Sequence, residues 1–207
     1  MKQIGAESNG LNRGDISYKA HEVNDTWWNK DVQNSIGVDK CIPYKSLKYS
    51  KEDSLNSKID HGCVSVYDVA VYILKRIKEC STMKLHKLLY YCQAWSLVWD
   101  EKSLFPEQIE AWANGPVVRE LFNFHKGWYS VSYQNMTIGN EKKLSEEQID
   151  TIDSVLQYYG DKPAQWLIDL THTEAPWKNA RRGYAPTERG NTVITNDSMA
   201  EYYSSLS

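Results

Sequence analysis

The segment "THTEAPW", residues 171–177, holds side chains whose types and spacing approach those of an enzymatic acid–base pair. His172 and Glu174 are close in sequence, and Asp169 lies about one helical turn earlier. An imidazole beside carboxylates can act as a general base. The same imidazole can instead lie at a helix C-terminus, where a positive charge meets the negative end of the helix dipole. Because no nucleophile is placed to complete a catalytic set, we expect His172 to form a hydrogen-bonding structural junction with Trp177 and not an active site.

Two other motifs offer weaker chemistry. The Gly115-Pro116 step suggests a phosphate loop, but one glycine does not form a cradle, and Lys126 is a helix length away. The segment "NARRGYAPTERG" places Arg181, Arg182 and Arg189 close together. On an acidic protein such a small basic cluster favours a solvated face or a protein contact over nucleic-acid binding.

Metal and cofactor sites are not predicted. The chain has 4 cysteines, and no two have C-x-x-C spacing, so a metal site is not expected. Cys80 and Cys92 fall in apolar segments and are expected to be reduced core residues. His86 and His125 lie on predicted helices near lysines, and we assign them no role.

Bulk composition narrows the function classes. The 207 residues carry a net charge of -3, so the overall basic field of many nucleic-acid binders is missing. No cationic start precedes an apolar run, and no apolar run is long enough for a membrane span, which favours a cytoplasmic location. The 8 Trp and 14 Tyr indicate either a core of large side chains, which we favour, or a binding interface.

The elements that position these residues are predicted to be mainly α-helical and to begin near residue 63. Residues 1–62 are rich in Gly, Asn and Ser and lack periodicity, which indicates a weakly structured, flexible N-terminal extension to a compact domain at 63–207. Ser65 and Asp68 resemble a capping pair for a first helix. Thr82 begins a second, apolar on most sides, so residues 82–99 are predicted to form the central helix.

The following segments alternate between further helices and turns. Pro106 predicts the start of a short helix, Gly115 its end and Pro116 the start of the next, so that residues 106–126 would form two helices meeting at a sharp corner. Residues 131–139 predict a small β-hairpin. Ser145 and Gln148 form a capping box, and more helices are predicted from Pro163, around residues 175–182 and from residue 196.

Three separated motifs resemble the Panacea antitoxin domain of SocA-like and GepA-like phage-associated proteins. The first is "LHKLLYY" at residues 85–91, the second is "EAWANGPV" at 110–117, and the third is "LIDLTHTEAPWKNAR" at 167–181. The resemblance extends from about residue 64 to about residue 182, in the family's order. We interpret the motif positions as residues of the structural scaffold. They are Lys87, Tyr90, Glu110, Trp112, Gly115, Pro116, Thr171, His172, Glu174, Pro176, Trp177 and Arg181.

The resemblance implies a function that the residue patterns alone do not. Panacea domains are mainly helical and serve as the antitoxin of toxin–antitoxin pairs, neutralising unrelated toxins by direct contact. In at least one branch they also deliver the toxin to a ClpXP-type protease. We therefore expect a cytoplasmic, non-enzymatic protein without a cofactor whose partner is a toxin, encoded by the adjacent gene. Trp112 is expected in the core, and the partner-binding positions stay unassigned. The alternatives are an enzyme using His172 and Glu174, or a DNA-binding autoregulator.

Overall fold

A computed structural model of the chain describes residues 63–206, and the predicted N-terminal extension therefore lies outside the described residues. The described part is mainly helical, which confirms the predicted fold class. In chain order its elements are α1 (Val66–Ile77), β1 (Glu79–Ser81), α2 (Thr82–Trp99), β2 (Ile109–Trp112), β3 (Gly115–Val118), α3 (Arg119–Phe124), β4 (Ser130–Ser132), a 3-10 turn (Glu141–Lys143), α4 (Glu146–Tyr159), α5 (Ala164–Thr173), α6 (Ala175–Ala180), β5 (Val193–Ile194) and α7 (Asn196–Ser204).

Helix α2 is the centre of the domain, as predicted. The side chain of Ser81 caps it by accepting a hydrogen bond from the backbone N–H of Lys84 at 3.2 Å. Residues 85–96 of this helix are all buried, and α4, α5, α7 and β3 pack around it. Because the neighbours cover it on several sides, α2 tolerates apolar side chains around most of its circumference. No helix in residues 63–206 combines the length and apolar character of a membrane span.

The predicted helix starts at Ser65 and Ser145 are confirmed. The backbone N–H of Ser65 donates to the Asp68 carboxylate at 2.9 Å. The backbone N–H of Ser145 likewise donates to the Gln148 side chain at 3.0 Å, and the Ser145 hydroxyl accepts from the Gln148 backbone at 3.3 Å. Each box satisfies backbone donors that the first helical turn leaves unpaired. The helices predicted from Pro163, around residue 175 and from residue 196 are also present as α5, α6 and α7.

The two helices predicted over residues 106–126 are wrong. Residues 109–118 form an antiparallel hairpin, β2–β3, and β5 pairs with the other edge of β2 to give the order β3-β2-β5. Only residues 119–124 are helical. Pro116 is compatible with this arrangement because β3 is an edge strand, where a missing N–H is tolerated. Short apolar runs do not distinguish a strand from a helix by period, and here the tertiary pairing decides.

The hairpin predicted over residues 131–139 is also wrong. Strand β4 pairs instead with β1, with Cys80 opposite Val131. Gly139 has φ +99°, but a side chain there would lie 2.4 Å from the Tyr67 carbonyl oxygen of α1. The absence of a side chain at Gly139 therefore lets the backbone of this loop approach α1 closely. The glycine that suggests a hairpin turn in the sequence serves this contact instead.

Candidate functional site

Lys87 lies in the N-terminal half of α2 and is almost completely buried, with 1% of its surface exposed. Its Nζ donates a hydrogen bond to the Pro116 carbonyl oxygen at 3.2 Å. No carboxylate within residues 63–206 forms an ion pair with it. Burial without a counter-charge disfavours the ammonium form and lowers the pKa of Lys87 to about 7.

Gly115 makes room for this lysine at the turn of the β2–β3 hairpin. It has φ +94°, whereas the preceding Ala113 and Asn114 do not have positive φ, the pattern of a type I turn followed by a bulge glycine. A Cβ at Gly115 would lie 2.4 Å from Lys87 Cε and 2.9 Å from Thr171 Oγ1. The backbone conformation and the approach of Lys87 therefore both require glycine.

His172 occupies the last turn of α5 and stacks on Trp177, with the ring centroids 4.1 Å apart and the planes at 17°. Its Nε2 is buried and makes no hydrogen bond within the described part of the chain. Burial, reinforced by the positive charges of Lys87 and Arg181, lowers the pKa of His172 to about 4. His172 is therefore neutral at physiological pH, which removes the helix-capping imidazolium from consideration.

Glu174 lies apart from His172 in a cluster of tyrosines. Its carboxyl group accepts hydrogen bonds from the hydroxyls of Tyr203 at 2.8 Å and Tyr91 at 3.3 Å. Tyr90 packs edge-on against Tyr91 with the ring centroids 5.3 Å apart. Burial raises the pKa of Glu174 to about 8 although the tyrosine hydrogen bonds oppose the shift. His172 and Glu174 thus have separate surroundings and do not form a hydrogen-bonded acid–base pair.

Trp112, expected in the core, is only half-buried at the end of β2. Its Nε1 donates to Glu110 Oε2 at 2.7 Å, and Arg119 binds the same carboxylate through Nε and Nη2 at 2.5 and 2.6 Å. The guanidinium groups of Arg119 and Arg189 lie 5.4 and 5.7 Å from Trp112 ring centroids. The hairpin therefore presents an aromatic ring with two cationic groups close to it.

Arg181, expected on a solvated face, is buried with 6% exposed. Its guanidinium donates to the carbonyl oxygens of Ala111 at 3.1 Å, Ala185 at 3.0 Å and Glu188 at 2.8 Å. It therefore fastens the loop after α6 to strand β2.

The neighbouring residues of α6 complete this junction. Trp177 adds a hydrogen bond from its Nε1 to the Trp112 carbonyl oxygen at 3.0 Å. Pro176 lies in the first turn of the helix, where the missing N–H has no cost. The motif residues of the third segment thus hold the hairpin against α5 and α6.

His86 and His125, to which the sequence assigned no role, form a buried pair. His86 Nδ1 accepts a hydrogen bond from the Val118 backbone N–H at 3.3 Å, so its proton is on Nε2. That proton donates to His125 Nε2, 3.0 Å away, which leaves the His125 proton on Nδ1. Because His86 Nε2 carries a proton, it has no lone pair for a metal. No cluster of three or more metal-ligating side chains occurs in residues 63–206.

A pocket of about 340 Å³ opens between α2 and the β2–β3 hairpin, and we call it the hairpin pocket. Two motif residues, Lys87 and Trp112, and both members of the histidine pair line it. No Asp or Glu is among its lining residues, which are Thr82, Met83, His86, Lys87, Trp112, Ala113, Asn114, Val117, Phe122, His125, Thr187 and Arg189. Sequence reasoning missed it because its walls come from four separate segments.

Comparison with known proteins supports the resemblance seen in the motifs. The family model described as "Antitoxin SocA-like, Panacea domain" matches residues 85–178, which span most of α2, the hairpin and most of α6. No curated protein and no solved structure gives a significant match to the chain. The match covers Lys87 on α2, Trp112 and Gly115 in the hairpin, His172 on α5 and Trp177 on α6. The match over residues 85–178 therefore supports assigning this segment of the chain to the SocA-like Panacea antitoxin domain family.

Proposed function

We propose that the protein is a cytoplasmic antitoxin that neutralises a cognate toxin, encoded by the adjacent gene, by binding it directly. The match to the SocA-like antitoxin family is the observation that supports this proposal most strongly. Covering a toxin's active surface requires a rigid, complementary surface and no reacting group. The hydrogen-bonded junction of the hairpin with α5 and α6 supplies rigidity of that kind.

An exposed aromatic patch offers a surface for the toxin. It flanks the β1–β4 pair and comprises Met83, Trp128, Tyr129 and Tyr133, exposed by 39%, 40%, 87% and 40% respectively. The backbone beneath it is fixed, because Thr82 N–H donates to the Tyr129 carbonyl at 3.1 Å and Tyr133 N–H to the Lys78 carbonyl at 3.0 Å. Trp and Tyr on a preorganised backbone are the side chains that dominate protein–protein binding energy.

The His172/Glu174 enzyme alternative has little support from the geometry. A general base must be ionised or able to accept a proton, and must reach its substrate. Glu174 is 3% exposed and is largely protonated at neutral pH because its pKa is raised to about 8 by burial. His172 Nε2 is buried under the Trp177 stack. We therefore propose that both residues support the fold.

Co-expression with the adjacent open reading frame tests the proposal. The neighbour should arrest growth alone and become harmless beside this protein, and the two should copurify. Tyr129→Ala combined with Trp128→Ala should weaken copurification at least tenfold, whereas Trp166→Ala, which removes a half-buried aromatic side chain of α5, should leave it unchanged. A neighbour that is harmless alone, or that stays toxic beside the wild-type protein, would refute the antitoxin role. Loss of binding in Trp166→Ala but not in the double variant would refute only the assignment of the exposed aromatic patch as the toxin-binding surface.

Neutralisation by occlusion and neutralisation by delivery to a ClpXP-type protease give different toxin levels. We propose occlusion as the primary mode, so the toxin should accumulate as a stable complex in cells with or without the protease. A toxin half-life that shortens only when both antitoxin and protease are present would show delivery instead. Either result keeps the antitoxin role.

A further inference from the structure

The hairpin pocket has an unusual charge composition for its size. Its two charged lining residues, Lys87 and Arg189, are both cationic, and its two histidines form a neutral pair. The rest of the lining is apolar, aromatic or uncharged. At about 340 Å³ it falls at the lower end of the range of small-molecule sites, which is about 300–1,000 Å³.

Lys87 supplies a buried amine that, when protonated, has no counter-charge among the residues that the structure describes. An ammonium has three N–H donors, and the one hydrogen bond found for Nζ goes to the Pro116 carbonyl. A buried cation without a counter-charge costs folding free energy, and groups of this kind concentrate at functional sites. A carboxylate next to Nζ would provide the missing negative charge and accept hydrogen bonds from the remaining N–H groups.

Arg189 and Trp112 define the mouth of the same pocket. Arg189 is exposed, lies over the Trp112 ring and forms no ion pair with the residues that the structure describes. Phe122 packs edge-on against Trp112 with the ring centroids 4.7 Å apart. An aromatic or aliphatic body would contact these rings, while its acidic group met the two cations.

We propose that the hairpin pocket binds a carboxylate carried on an aromatic or apolar group, with Lys87 as the counter-charge and Trp112 and Phe122 as the apolar wall. The inference concerns the pocket alone, and it does not depend on the toxin-binding role or on the exposed aromatic patch.

Calorimetric titration of the full chain with 3-phenylpropanoate tests this site against a matched neutral compound, 3-phenylpropanamide. The acid should bind with one saturable site and at least tenfold more tightly than the amide. Lys87→Met keeps the length of the side chain and removes the charge, so at most the part of the acid preference that Arg189 supplies should remain. Arg189→Gln, on the exposed rim, should weaken acid binding about three- to tenfold. Lys126→Gln, an exposed cation outside the pocket, should have no effect.

Several results would overturn the proposal. They are an absence of saturable binding of the acid, equal affinities for acid and amide, or an acid preference that persists in both Lys87→Met and Arg189→Gln. Since Arg189 is exposed, its variant keeps the test valid even where Lys87→Met does not fold. NMR spectra recorded during titration with the acid locate the binding site. Chemical-shift changes confined to residues outside the hairpin pocket would contradict the assigned location.

A second pair of probes identifies the source of the carboxylate. The tripeptide Ala-Ala-Phe ends in a free carboxylate on an aromatic residue, and its C-terminal amide is the matched control. Binding of the tripeptide acid in preference to its amide would point to a polypeptide C-terminus as the occupant. Binding of 3-phenylpropanoate without the tripeptide would point to a free small acid.

Discussion

The Nε2 atoms of His86 and His125 lie 3.0 Å apart in the interior and join α2 to the residue that follows α3. Both rings must be neutral, because a proton added to His125 Nε2 would face the His86 Nε2 proton, and one added to His86 Nδ1 would face the Val118 N–H. Burial lowers the pKa of both histidines, and the partner ring and the Lys87 charge lower that of His86 further. Long-range ¹H–¹⁵N spectra should show His86 protonated on Nε2 and His125 on Nδ1. The opposite tautomers would contradict this pair.

The same pair should make the protein sensitive to acid. Below about pH 6.5 the histidines of the unfolded chain bind protons, whereas those of the folded protein stay neutral to lower pH. The free energy of unfolding therefore falls as the pH decreases. Each histidine contributes up to about 1.4 kcal/mol per pH unit. His125→Gln retains an acceptor for His86 Nε2. Between pH 6 and 5, the slope of unfolding free energy against pH should fall by the amount that corresponds to about one proton taken up on unfolding. Urea denaturation of both proteins measures it, and an unchanged slope would exclude the mechanism.

Glu174 should have the opposite pH dependence. Burial raises its folded pKa to about 8, so its contribution to stability is complete below the unfolded value and is lost as pH rises toward 8. Glu174→Gln imitates the protonated form and cannot ionise. The variant should match wild type near pH 4 and exceed it at pH 9, by at most about 5 kcal/mol. Glu79→Gln, which alters an exposed carboxylate, is the control. A constant difference across pH would mean that Glu174 is ionised in the folded protein.

Gly115→Ala should be far more damaging than Gly127→Ala, although both glycines have positive φ, +94° and +89°. A Cβ at Gly127 meets nothing within 4 Å, whereas one at Gly115 meets Lys87 Cε at 2.4 Å. Gly127→Ala should therefore cost only the backbone strain, about 1 kcal/mol. Gly115→Ala should cost more than about 3 kcal/mol, because strain and overpacking combine. Thermal or urea unfolding of the two variants gives the comparison, and similar costs would contradict the close approach of Lys87.

Arg181→Met should release the loop between α6 and β5. The substitution removes the hydrogen bonds to the carbonyls of Ala111, Ala185 and Glu188 and leaves the Ala111 oxygen buried without this donor. We expect a loss of about 3 kcal/mol in unfolding free energy. Amide exchange and limited proteolysis should both increase within residues 183–192. Arg182→Met, at an exposed position, should change neither, and equal protection in the two variants would argue against the anchoring role.

Much of the helical framework follows from the sequence because its causes are local. The capping pairs at Ser65 and Ser145 satisfy helix donors within three residues, and the apolar residues of 82–99 indicate a buried helix without reference to any other segment. The three motifs also suffice to recognise the family, over the segment that the family model matches. The contacts that the motif side chains make within the fold do not follow from the sequence.

Only the tertiary structure decided how residues 109–118 fold and what the motif residues contact. The hairpin gains its third strand from residues about 80 positions later, and such long-range pairing has no trace in local periodicity. In the same way His86 meets a histidine 39 residues away, and Lys87 lies beneath a turn that approaches it through a glycine. The burial, protonation and partners of these groups depend on which segments fold against them. The sequence therefore determined most of the helices and the family resemblance, while packing determined the site.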